Sequence, residues 1–280
     1  MINTSNRIFV ALLFFSVAIF SQGFQGKATY QTKTTFELNL EGSQMSAEQQ
    51  KRIKERMKSR LEKVYELSFN KTASLYEEEE QLEQPGQRGG MRFGGFGFGK
   101  YYKNTKTKSY VKEQNLMGKE FLVKDSLKTL DWTLEKESKL IGTHFCLKAT
   151  AKKKVPNVEN FRFGRGGNQN DENEKPKDSL REIEIVAWYT PDIPVNHGPD
   201  EYWGLPGLIL EVNADKTQIV CIKIVINPKE KTEIKEPKKG TVVSEEEYKE
   251  ISIKKMEEMR EMYGGDRRRG QGGAHIRIGG

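Results

Sequence analysis

Apolar residues recur at every second position along much of this chain, and that alternation limits the fold more than any other feature. Ala28, Tyr30, Thr32 and Thr34 share one side of the segment Gln25–Leu40. Lys63–Phe69 and Ala73–Glu78, joined across Asn70-Lys71, read as a hairpin. Tyr101–Val111 and Glu120–Val123 read as two more strands, and Ile141, Thr143, Phe145, Leu147 and Ala149 as one face of the next. Ile183, Ile185, Ala187 and Tyr189 share a face, Leu208, Leu210 and Val212 follow, and then Val220, Ile222, Ile224 and Ile226. Short strands separated by turn residues specify a mainly β, antiparallel, meandering sheet. The expected architecture is α+β: a strongly curved open sheet or half-barrel with flanking helices.

Two segments carry helix-start chemistry instead. Ser46-Ala47-Glu48-Gln49 and Ser244-Glu245-Glu246-Glu247 both have capping-box form, a hydroxyl for the third amide and a Gln or Glu reaching back. Behind the first, Ile53, Met57, Leu61 and Val64 recur at helical spacing opposite a basic face. Behind the second, Tyr248, Ile251, Met256, Met259 and Met262 form the apolar stripe.

Glycine is confined to three blocks. Gly86–Gly99 and Gly264–Gly280 hold seven each and Gly164–Gly167 holds three, together 17 of the 26 in the chain. Such stretches bury too little apolar surface to offset chain entropy, so they read as insertions near 84–100 and 162–179 and as a basic tail at 264–280. What remains is one β-rich domain within 22–263. At the N-terminus, Arg7 precedes an apolar run from Ile8 to Phe20, with Ser21 before Gln22 as a cleavage point. That is signal-peptide anatomy over 1–21, and it places the mature chain in the periplasm, the outer cell envelope or the medium.

The densest signal is Trp188–Val212, WYTPDIPVNHGPDEYWGLPGLILEV. Pro191, Pro194 and Pro199 stiffen it, and Leu205-Pro206-Gly207-Leu208 has type II turn chemistry, with positive φ expected at Gly207. The string Gly204-Leu205-Pro206-Gly207-Leu208-Ile209 resembles the signature of the GLPGLI family. Trp188-Tyr189-Thr190-Pro191, Ile193-Pro194 and Gly198-Pro199 precede it in that family's order, and Trp132-Thr133-Leu134, Lys139-Leu140-Ile141 and Cys146-Leu147-Lys148-Ala149 fit upstream. The resemblance covers roughly Gln25 to Lys229. It implies an exported protein of the Bacteroidetes, from a family of uncharacterised activity.

No catalytic set, metal site or cofactor motif assembles in the sequence. His197, Asp200 and Glu201 lie together beside Gly198-Pro199, readable as a metal or acid–base site or as a solvated turn, and a zinc site needs more ligands than they offer. Cys146 and Cys221 both fall in strands, and a disulfide between them requires those strands to be neighbours. Arg88-Gly89-Gly90 and Arg165-Gly166-Gly167 have an RNA-binding look that the export signal opposes, so no nucleic acid is expected. Arg267-Arg268-Arg269 offers peripheral contact with anionic membrane lipid, against the plainer reading of solubility. Trp188, Tyr189, His197, Tyr202 and Trp203 are the candidate binding residues, with Tyr202 and Trp203 expected at the edge of a surface groove. The function read from this is a non-enzymatic envelope protein binding a hydrophobic ligand or an envelope component. The alternatives are an accessory module for an outer-membrane receptor or secretion system and, last, a hydrolase built on Asp200 and Glu201.

Overall fold

The computed structural model describes residues 23–35, 46–79, 96–156 and 180–264. The segment read as a signal peptide, most of both glycine-rich insertions and residues 265–280 lie outside the described residues.

Twelve strands form one open, mostly antiparallel sheet. In chain order the elements are β1 (Gln25–Thr34), α1 (Ala47–Leu61), β2 (Glu62–Asn70), β3 (Ala73–Glu78), β4 (Phe96–Asn104), β5 (Ser109–Leu116), β6 (Lys119–Ser126), β7 (Thr133–Ile141), β8 (His144–Pro156), β9 (Leu180–Thr190), β10 (Leu208–Ala214), β11 (Thr217–Ile226), β12 (Thr241–Val243) and α2 (Glu245–Gly264). The spatial order is β12-β6-β5-β4-β3-β2-β1-β11-β10-β9-β8-β7. Residues 127–132 alone join β6, next to one edge, to β7 at the other. Among the described residues no helix is long and apolar enough to cross a membrane.

Local chemistry fixes the turns. Asn70 Oδ1 accepts from the amides of Thr72 at 2.9 Å and Ala73 at 2.7 Å, the side-chain turn that joins β2 to β3. Both capping boxes form as read. Ser46 Oγ accepts from the Gln49 amide at 3.2 Å while Gln49 Oε1 accepts from the Ser46 amide at 2.9 Å, and Ser244 and Glu247 repeat the exchange at 3.1 and 2.7 Å. Tyr248 of α2 lies edge-on to Phe121 of β6, with ring centroids 5.6 Å apart.

Several boundaries differ from the sequence reading. Tyr101–Val111 is a hairpin rather than a strand, because Asn104 Oδ1 accepts from the Lys106 and Thr107 amides and turns the chain. Ile141–Ala149 is likewise broken at Gly142, where φ is +59°. Phe96–Gly99, read as part of a loop, is ladder backbone opposite β5. Val64 belongs to β2, since α1 gives way to strand at Glu62. In β11 the alternation is inverted up to Cys221: a register shift opposite Thr29 and Tyr30 leaves Ile219 and Cys221 buried and Ile222 57% exposed, while Ile224 beyond it packs against the core. A second shift in β10 leaves the whole run Leu208–Val212 buried.

Candidate functional site

The 17 residues that link β9 to β10, 191–207, cross the apolar face of the sheet as a strap. Two prolines shape it. Val195 N–H donates to the Ile193 carbonyl at 2.8 Å and Gly207 N–H to the Leu205 carbonyl at 2.9 Å, three-residue turns centred on Pro194 and Pro206. Proline holds φ near −65°, which is the inverse γ-turn value. The Leu205–Leu208 turn is therefore not the type II turn anticipated, and Gly207 is absent from the positive-φ positions, which here fall to Asp200 and Gly204. Glycine is required at 207 for another reason: a Cβ there would lie 2.2 Å from the Thr190 carbonyl oxygen. At Gly198 a Cβ would lie 2.8 Å from both the Tyr202 carbonyl and the Ile209 side chain.

Lys103 fastens the strap from below. Its side chain is fully buried on β4, and its ammonium donates to the carbonyls of Gly198 at 2.7 Å, Asp200 at 2.5 Å and Tyr202 at 3.3 Å. Three donors meet three acceptors, so the charge is solvated by main chain rather than paired with a carboxylate. Burial pushes the ammonium down to about 7, while Asp200 and Glu201 pull the other way. The strap is tied elsewhere too. Just beyond its end, on β10, the Ile209 carbonyl accepts from Tyr30 Oη at 2.7 Å. Trp203 Nε1 donates to the Lys128 carbonyl at 3.0 Å, and Trp132 Nε1 donates to the Trp203 carbonyl at 2.9 Å.

The predicted site residues separate in this arrangement. Tyr189, Tyr202 and Trp203 are buried, so the expectation of an exposed groove edge at Tyr202 and Trp203 is corrected: the strap turns their rings into the core. Leu205 and Leu208 are buried with them, and only Pro206 of that turn is exposed. His197 is fully buried, its Nε2 3.0 Å from the Asn70 carbonyl and its ring 6.4 Å from that of Phe69. Burial first, then Lys103, pushes its pKa down to about 3. Glu201 instead reaches the surface and pairs with Lys153 at 2.6 Å, and Asp200 turns its carbonyl toward Lys103. His197, Asp200 and Glu201 thus diverge, which removes the acid–base arrangement their spacing offered. Among the described residues no three of His, Cys, Asp and Glu converge as metal ligands would.

Cys146 on β8 and Cys221 on β11 have β9 and β10 between them, so the neighbouring-strand condition for a bridge is not met. Both are buried free thiols, pushed up by burial to about 11 and about 12. Trp188 is half-buried away from the strap, with the Lys139 ammonium 4.3 Å above its ring. Lys139 also pairs at 2.6 Å with buried Glu211, whose other oxygen accepts from Asn213 at 2.7 Å. Desolvation is the largest influence on the Glu211 carboxyl and raises it, but hydrogen bonds from Lys139 and Asn213 together hold it below its usual range. Neither Lys103 nor this Glu211 cluster stood out in the sequence, where both look like surface charge.

Residues 132–211 match the model of a family described as a protein of unknown function, Porph_ging. The matched stretch begins at the tryptophan that bonds the strap and contains the whole strap. No curated protein matches the chain. Two solved structures described as PNGF-II, in C2 and P21 space groups, are similar at 14% and 13% identity with TM-scores of 0.48 and 0.47. Each comparison covers 82% of this chain and 33% of that one, so the chain spans about a third of their length.

Proposed function

We propose that this is an exported, non-enzymatic cell-envelope protein of the GLPGLI type that binds an envelope component through its surface. Its sheet is strongly curved, in half-barrel form. The reach of the chain supports that shape. Ten ladder spacings separate β6 from β7, about 48 Å across a flat sheet. The seven Cα steps from Ser126 to Thr133 span about 25 Å at most. The concavity so formed is occupied by the protein's own strap, which argues for surface contact over enclosure of a hydrophobic ligand beneath it.

The observation that carries the reading is the apolar side of the β7–β8 hairpin. Leu140 and Phe145 are cross-strand partners, 70% and 45% exposed, and Leu134 is 57% exposed on the same edge strand. Large apolar side chains left in water beside an open sheet edge are what a docking surface presents. Export is supported by Met1–Ser21 and by the order of the strap motifs.

The test is envelope association of a tagged chain in its native host, compared with a Leu140→Lys/Phe145→Lys variant. The native chain should fractionate with the envelope and begin at Gln22. The variant should keep its thermal midpoint and leave the envelope fraction. A variant that stays envelope-bound, or a native chain retained in the cytoplasm, overturns the proposal.

A further inference from the structure

Beneath the strap, Ser74 on β3 is the cross-strand partner of both Phe69 on β2 and Lys103 on β4. Cross-strand partners project to the same side of a sheet, so the Ser74 hydroxyl shares its side with the Lys103 stem and the Phe69 ring. The imidazole of His197 tilts over the same Phe69 ring. Ser74 and His197 are both fully buried, and Ser74 Oγ and His197 Nδ1 have no hydrogen-bond partner.

The chemistry of what joins them follows from the neighbours. The Asn70 carbonyl 3.0 Å from His197 Nε2 only accepts, so Nε2 carries the ring proton and Nδ1 is a bare acceptor. Lys103 has no proton left for it, since its three donors go to the Gly198, Asp200 and Tyr202 carbonyls. An anion without a proton cannot donate to Nδ1, and a metal cation is repelled by the ammonium. A small neutral group that donates to the imidazole and exchanges a hydrogen bond with the serine fits these partners.

We propose that one ordered water molecule is bound under the strap, donating to His197 Nδ1 and bonded to Ser74 Oγ, as an integral part of the Lys103 clamp. Buried polar groups in folded proteins are satisfied this way when protein partners run out. The water ties β3 to the strap independently of the ammonium.

A crystal structure of the mature chain that resolves ordered solvent should show a peak within hydrogen-bond distance of both atoms. Imidazole ¹⁵N NMR of the native protein and of Ser74→Ala supplies the second arm. Nδ1 should resonate at its hydrogen-bonded position in both, because the water survives loss of the hydroxyl in a slightly larger space. A dry site in the crystal overturns the proposal. So does an Nδ1 resonance that moves to the free position in Ser74→Ala, which marks a direct serine–histidine bond.

Discussion

Tyr202, Trp203 and Leu205 on the strap are 7%, 5% and 1% exposed, whereas Leu134, Leu140 and Phe145 on the β7–β8 hairpin are 57%, 70% and 45% exposed. Both regions carry large apolar residues, and both lie within the family-matched stretch. They differ in how the main chain is closed. On the strap, prolines make the local turns, and Lys103 and Trp132 take up carbonyls that would otherwise be stranded. On β7 one side of the ladder faces no strand among the described residues. Burial of side chains therefore follows satisfaction of backbone: the strap enters the core because its polar groups have partners there.

Substitutions that lift the strap should separate the two regions most sharply. Gly207→Val sets a side chain against the Thr190 carbonyl, 2.2 Å from the first added carbon. Backbone is in the way, so no rotamer relieves it, and the loss should exceed about 4 kcal/mol in chemical denaturation. Native-like stability would mean that the strap moves freely off β9.

Trp203→Ala should come next, at about 3 kcal/mol, through the cavity it leaves and the stranded Lys128 carbonyl. A variant that folds with native stability would return Trp203 to the surface role its sequence position invited.

The acid limb should identify His197. Its folded pKa is about 3 against an ordinary 6.5, so the unfolded chain takes up the proton first. Stability is then full above 6.5 and is lost as pH falls toward 3, by about 1.4 kcal/mol per pH unit. His197→Gln should flatten that slope, and an unchanged slope would place the titration elsewhere. Lys103 acts in the opposite window. Its folded pKa of about 7 lies below the ordinary 10.5, so stability is gained as pH rises from 7, until the held-up thiols of Cys146 and Cys221 reverse the trend above 9.

The smallest effect belongs to the hairpin. Leu140→Ala should change stability by no more than about 0.5 kcal/mol, because its side chain is 70% exposed. A larger loss would show that the hairpin is covered in solution.

The β meander, both capping boxes and the β2–β3 turn were legible in the sequence because each rests on neighbours a few residues apart. Asn70 accepts from residues 72 and 73, and Ser244 from residue 247. The turns at 105–108 and at 142 were missed although Asn104 and Gly142 mark them, because the apolar alternation on either side runs across both breaks. Lys103 was not legible at all. It stands between Tyr102 and Asn104 in a lysine-rich stretch, and its three acceptors are main-chain carbonyls at positions 198, 200 and 202. Composition marks aromatic residues but not which way a loop turns them, so Tyr202 and Trp203 pointed to a surface they do not occupy.

Native-state hydrogen exchange most directly tests whether the strap is part of the core. The amides of Val195, Gly204 and Gly207 donate within the strap, and those of Leu208 and Ile209 donate back to Ile193 and His197. They should exchange only through global unfolding, with the same free energy as the β1–β2 ladder. Exchange of these five at a much lower free energy, while β1 and β2 stay protected, would contradict a strap locked into the sheet by Lys103.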